Sequence, residues 1–296
     1  MTHTILEFLI SPPGALALGM LIALTVGNPY SVKTAKATKY LLQASVVGLG
    51  FGMDLQKVVA AGRTGILFTI ATIVGTLLLG FVIGRAMKIE PTTSHLISSG
   101  TAICGGSAIA AVGPVLKASD EQMSVSLGTV FILNSIALFV FPIIGHRLAL
   151  SQTQFGVWAA IAIHDTSSVV GAAARYGAEA LQIATTVKLT RALWIVPLTL
   201  GTAFVFHRKS AAKITIPWFI LWFLVASLIR TYVASPAWPV IVTIAKYGLT
   251  LTLFLIGAGL SRKSLAAVGI RPLILGVLLW IAISTVSLWA VMHTLT

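Results

Sequence analysis

Lys188 and Arg191 lie three residues apart in TTVKLTRALWIVP, inside an otherwise apolar stretch, and therefore fall on one helix face. Arg offers a planar fork for two oxygens of an oxyanion and Lys a compact charge, so the pair suits a carboxylate, sulfonate or sulfate. Another apolar stretch carries AIHDTSSVVGAAA, with His164 and Asp165 followed by Thr166, Ser167 and Ser168. A carboxylate at membrane depth faces an aqueous cavity, pairs with a cation or takes a proton. Three roles stay open for Asp165: proton carrier, cation ligand, or structural partner neutralising Lys188 or Arg191. His164 reads either as a hydrogen-bonded core histidine or as a second coupling residue.

The segment SSGTAICGGSAIAAVGPV, residues 98–115, is the most unusual in the chain. Gly100, Gly105, Gly106, Gly113 and Pro114 weaken a continuous helix, and hydroxyls such as Ser98, Ser99, Thr101 and Ser107 can satisfy freed backbone groups. A helix broken around Ala102–Gly106 would present the N–H groups and positive dipole end of its second half to an anion. Close packing of small residues against neighbouring helices is the competing reading. The candidate substrate-binding set is Thr101, Cys104, Gly105, Gly106, Ser107, Lys188 and Arg191, with Cys104 a packing residue rather than a nucleophile. His164 and Asp165 are the coupling candidates. Lys246 is either a third cation of the site or a snorkelling lysine, and Asn134 fits an interhelical hydrogen bond better than a ligand role.

Composition defines the elements that must position these residues. Of 296 residues 57% are hydrophobic and 9% charged, far below the roughly one quarter charged residues of a soluble domain, which excludes an ordinary cytosolic enzyme. Apolar stretches bounded by charge or by Pro and Gly fall at about 11–27, 40–53, 64–84, 95–117, 123–145, 153–174, 180–206, 214–234, 238–260 and 272–293. Ten spans follow, with the first two short. On a rise of ~1.5 Å per residue, Gly105, Asp165, Lys188 and Arg191 all lie roughly 12 to 18 Å deep, so three spans bring them to the midplane. Lys246 comes out about 12 Å deep by the same count.

The net charge of +13, from 20 basic and 7 acidic residues, would suggest nucleic acid in a soluble chain. Across ten spans it instead divides by side. Lys33, Lys36, Lys39, Arg85, Lys88, Arg147, Arg208, Lys209, Lys213, Arg262, Lys263 and Arg271 collect on one face; Lys57, Arg63, Lys117, Arg175 and Arg230 collect on the other. The positive-inside rule then places both termini outside. The start lacks the basic region of a secretory signal peptide, since the first basic residue is Lys33. The tryptophans, Trp158 among them, lie mostly toward span ends, as an interfacial belt does.

An internal repeat also shows faintly: Gly50, Gly52, Ala60 and Gly62 match Gly257, Gly259, Ala267 and Gly269 at an offset of 207 residues. Copies in spans two and nine would run in opposite directions, the inverted-repeat pattern of secondary transporters.

Together these segments resemble the family of bacterial inner-membrane proteins named for sulfate export. The resemblance rests on GFGMDL at 50–55, SSGTAICGGSAIAAVGPVLKA, the His164-Asp165 segment ending in VVGAAA, KLTR at 188–191, KITIPWF at 213–219 and AGLSRKSLAAVGIRPL at 258–273, and runs from about residue 14 to the C-terminus. It implies a distant relation to bile acid, arsenite and riboflavin transporters and to sodium/proton antiporters. Those folds pair a core domain of broken, crossing helices with a scaffold domain and move like an elevator. Gly100–Pro114, His164, Asp165, Lys188 and Arg191 fall in the family's characteristic segments.

The expectation is an all-α polytopic membrane protein, a single unit over residues 1–296 with core helices at roughly 95–206. It would be an inverted-repeat secondary transporter with broken helices at the midplane, moving sulfate, sulfite or an organosulfonate across the inner membrane. The expected partners are that anion, a coupling proton or sodium ion, membrane lipid and a second copy in a homodimer, with no nucleic acid, cofactor or metal. A gated anion channel on the same helices is the alternative. An intramembrane enzyme is disfavoured, as no HExxH motif and no second buried carboxylate is present, and no P-loop supports ATP-driven transport.

Overall fold

The computed structural model describes residues 12–26, 31–52, 66–206, 218–259 and 268–295, and every regular element among them is an α-helix. In chain order these are α1 (Pro12–Thr25), α2 (Ser31–Gly50), α3 (Ile66–Ala86), α4 (Pro91–Ala102), α5 (Gly106–Leu116), α6 (Asp120–Arg147), α7 (Gln152–Ala162), α8 (Thr166–Tyr176), α9 (Ala178–Ala192), α10 (Ile195–Val205), α11 (Trp218–Tyr232), α12 (Ala237–Gly259) and α13 (Ile270–Thr294). Five stretches are long and apolar enough to cross a membrane: Phe68–Ala86, Glu121–Arg147, Ala178–Val205, Ala237–Gly259 and Ile270–Thr294. Gly106–Leu116 and Leu221–Tyr232 are shorter apolar helices.

Several readings from the sequence fall outside the described residues. They include 53–55 of the GFGMDL segment, 213–217 of KITIPWF, 260–267 of the C-terminal motif, and Lys57, Arg63, Arg208, Lys209, Lys213, Arg262 and Lys263. Of the repeat, Ala60, Gly62 and Ala267 fall outside too, while Gly50, Gly257 and Gly259 stand at helix ends.

The helices associate in two groups. In the first, α12 packs along α1 and α2, and α11 along α2; the second holds α3 to α10 and α13. Small residues allow the first group to close: an added Cβ on Gly48 would strike Ala245, and one on Gly50 would strike the Phe223 carbonyl and Ala226. In the second group, Gly80 and Gly84 of α3 face Ser98 and Ser94 of α4, and the Ser94 hydroxyl donates to the Gly80 carbonyl at 3.1 Å. Four-residue spacing on both helices puts each set on one stripe, so the backbones meet without bulky side chains between them. The groups touch where α8 meets α12 and α1, and where α1 meets α6.

Trp158 departs from the interfacial belt expected of it. It is buried, stacks on Phe141 at 4.4 Å and donates from Nε1 to the Ser284 carbonyl at 3.0 Å. Position in the sequence marked the end of an apolar stretch, whereas α7 begins only at Gln152 and is covered by α9 and α13.

Candidate functional site

Two of the apolar stretches are broken at their middles by non-helical backbone, whereas only a turn with Leu193 and Trp194 in helical conformation separates α9 from α10. In the first, α4 starts on a well-made cap: the Glu90 carboxylate accepts from the Thr92 and Thr93 amides at 3.0 and 2.8 Å, with Pro91 in the first turn. The helix stops at Ala102, and Gly105 takes φ 62°, ψ −124°, a conformation that glycine supplies without strain. The chain then resumes as α5 from Gly106, within the window the glycines predict. In the second, α7 starts on a Ser151–Gln154 capping box and stops at Ala162; α8 starts at Thr166.

The interruptions lie against each other. A Cβ added to Gly105 would stand 3.3 Å from the Asp165 Cβ and 3.4 Å from its amide nitrogen. Four half-helix ends therefore converge, and each carries part of a helix dipole.

Both C-terminal ends are met by the two buried cations. Lys188, with none of its surface exposed, donates from Nζ to the carbonyls of Ile103 at 2.9 Å, Ile163 at 2.7 Å and Ala160 at 3.3 Å. An ammonium has three protons, so these bonds use its full donor capacity. Arg191, 1% exposed, donates from Nη2 to the Ala102 carbonyl at 2.6 Å and from Nη1 to the Thr72 hydroxyl of α3 at 3.0 Å. The sequence placed both residues on one face and at depth. It held no trace of their carbonyl partners, because a carbonyl is present in every residue.

The N-terminal ends are treated unequally. Asp165 caps α8: Oδ1 accepts from the Ser168 amide at 2.6 Å and the Ser167 hydroxyl at 2.8 Å, and Oδ2 from the Ser168 hydroxyl at 3.1 Å. Its oxygens are thus bonded to its own helix rather than to Lys188 or Arg191. Asn134 of α6 supports the same break, its Oδ1 accepting from the His164 amide at 3.1 Å and lying 3.4 Å from the Asp165 amide. The N-cap residue of α5, Gly105, supplies no side-chain cap. The sulfur of buried Cys104 meets the Ala108 amide, and Ser107, in the first turn, is exposed.

Buried polar atoms without a partner gather on these same segments: Thr101 Oγ1, Asn134 Nδ2, both ring nitrogens of His164 and Arg191 Nε. The structure thus brings Gly105, His164, Asp165, Lys188, Arg191 and Asn134 to one crossing. Lys246 is not among them; it is exposed and lines a cleft with Thr185 and Gln182. No group of His, Cys, Asp and Glu suited to a metal is found among the described residues.

Thr72 was missed by sequence reasoning. Its signal is a buried hydroxyl stripe, Thr69, Thr72 and Thr76, at three- and four-residue spacing in an apolar helix. The Thr72 hydroxyl donates to the Thr69 carbonyl at 3.0 Å while it accepts from Arg191.

Comparison with known proteins agrees with a membrane assignment. A UPF0324 membrane protein of Bacteroides thetaiotaomicron is 58% identical over 283 residues, covering 94% of this chain and 86% of that protein. One from Porphyromonas gingivalis is 56% identical over 284 residues, with the same coverage, 94% and 86%. One from Bdellovibrio bacteriovorus is 52% identical over 290 residues, 96% of this chain and 89% of that protein. No solved structure matches the chain. The family model described as conserved hypothetical protein 698 matches residues 4–276, and the chain belongs to this family of multi-pass UPF0324 membrane proteins.

Proposed function

We propose that the protein is a secondary active transporter that moves a small oxyanion across the bacterial inner membrane by elevator-like alternating access. Sulfate, sulfite and organosulfonates are the candidate substrates. The reading takes the described helices as ten inverted-repeat spans with outside termini, the second helix group as the moving core and the first as the scaffold. The observation that carries it is the imbalance at the crossing: of four converging half-helix ends, the N-terminus of α5 alone has neither a charged nor an oxygen cap, and carries only the weakly accepting Cys104 sulfur at its Ala108 amide. A positive helix end next to two buried cations is the electrostatic complement of an anion.

Unpartnered buried donors support the same reading. Asn134 Nδ2 and Arg191 Nε have no acceptor, and an oxyanion supplies acceptors to both. Lys188 and the Nη atoms of Arg191 act mainly by holding the broken ends of α4 and α7 in place. Thr101, Cys104, Gly105, Gly106 and Ser107 frame the α5 end. Coupling falls to His164, whose buried ring nitrogens have no hydrogen-bond partner, or to Asp165, whose oxygens accept from Ser167 and Ser168.

The test is uptake of labelled sulfate, sulfite and methanesulfonate into proteoliposomes of purified protein under imposed proton or sodium gradients. Saturable, gradient-driven uptake of at least one anion, abolished by Arg191→Ala, is the expected result. Absence of uptake for all three, in protein that remains folded, removes the assignment.

A further inference from the structure

We propose that the cleft between the two helix groups is an anion-recruiting vestibule, in which Arg230 and Lys246 draw a small oxyanion toward a floor closed by Gln182. This deepens the transport reading, on which it relies for where the anion goes next. The cleft has a volume of about 550 Å³ and is walled by Phe51 and Gly52 beyond α2, by Arg230 of α11, by Trp238 of α12 and by Gln182 of α9. Gly52 and Gln182 also line a neighbouring space of about 50 Å³, together with Thr185 and Lys246. Both cations are exposed, and no carboxylate stands among the described lining residues.

One wall is braced by several contacts and the floor by one. Phe51 and Trp238 stack with ring centroids 4.7 Å apart, and Trp238 Nε1 donates to the Val233 carbonyl at 2.8 Å, fixing the turn between α11 and α12. The floor is a single long bond across the boundary of the groups, Gln182 Nε2 to the Gly52 carbonyl at 3.3 Å. Such a bond exchanges readily for an anion or water. Lys188 lies on the same helix, one turn beyond Thr185, and the rise from Gln182 to Lys188 is ~9 Å. The vestibule therefore points along α9 at the crossing. Two like charges above a low-dielectric wall focus the field inward, which raises local anion concentration more than it adds holding strength.

Ser235, which lines the same cleft as Gln182, gives a direct probe. The full-length Ser235→Cys protein, with native Cys104 buried, is labelled in phosphatidylcholine liposomes by anionic sulfonatoethyl and cationic trimethylammonioethyl methanethiosulfonates. Relative to a free thiol, the anionic reagent should be favoured about tenfold, and combined Arg230→Gln and Lys246→Gln substitution should return the ratio to within about twofold of the free thiol. Sulfate should slow labelling. A free-thiol ratio in the parent, or a ratio indifferent to the two substitutions, overturns the proposal. So does protection by phosphatidylglycerol liposomes but not by sulfate, which would make the cleft a lipid-headgroup site. In uptake assays the same substitutions should raise KM about fivefold and leave kcat unchanged. Expected labelling without anion uptake by the parent would overturn the transport reading alone.

Discussion

The two breaks at the crossing are built from similar parts and finished differently. At the α7–α8 break the chain caps the amide end itself: Asp165 caps α8, Ser167 and Ser168 complete the carboxylate, and Asn134 Oδ1 takes up the intervening amides. At the α4–α5 break, Lys188 and Arg191 meet the carbonyl end, and the amide end has no oxygen cap, only the Cys104 sulfur at the Ala108 amide. Helix-end amides without an oxygen cap take their partners from water or a ligand, and on the proposed reading the α7–α8 break holds structure while the α4–α5 break faces the anion.

Removing the shared support should have the largest effect. Lys188→Met leaves three buried carbonyls without their donor and should lower stability by about 3 kcal/mol, read by thermal unfolding in detergent. A loss under about 0.5 kcal/mol would mean that the crossing does not depend on it. Truncating the caps then tests the asymmetry itself. Asp165→Ala should cost about 2 kcal/mol and Asn134→Ala about 1 kcal/mol, whereas Ser107→Ala at the uncapped end should change stability by less than about 0.5 kcal/mol. Equal losses at the two breaks would erase the distinction.

The smallest effect belongs to the far end of α4. Burial disfavours the charged form of Glu90, yet the Thr92 and Thr93 amides and the Thr93 hydroxyl outweigh it and lower its pKa. A carboxyl with a lowered folded pKa adds stability that is fully present above its unfolded pKa and is lost as pH falls through the folded value. Thermal stability on the acid side, within and below the ordinary carboxylate range, should therefore fall less steeply in Glu90→Gln than in the parent. Parallel curves would show that the cap contributes nothing.

Much of this site could be read before the fold. Gly105 and Gly106 located one break; at the other the sequence marked His164 and Asp165 as coupling candidates but gave no sign that the helix stops there. Lys188 and Arg191 stood out because charges are scarce in an apolar chain. What stayed hidden shares a physical cause: the partners are backbone carbonyls, or side chains brought near by packing over long stretches of sequence. Arg191 and Thr72 are joined by no spacing rule, and neither are Gln182 and Gly52. The role of Asp165 stayed open for the same reason. Its ion pair with Lys188 or Arg191 was a fair reading of charge, but the Ser167 and Ser168 donors are closer along its own helix and present in the first turn.

The central claim, that the uncapped end of α5 is where the anion sits, can be tested by giving that end a carboxylate of its own. Ser107 is exposed in the first turn, so Ser107→Asp can be accommodated and should stabilise the protein by about 1 kcal/mol in the absence of ligand. Thermal unfolding of purified parent and variant is then followed with increasing sulfate, sulfite and methanesulfonate. The expected result is anion-dependent stabilisation of the parent and none of the variant, because the site is already filled. The same anion-dependent shift in both proteins would contradict the claim.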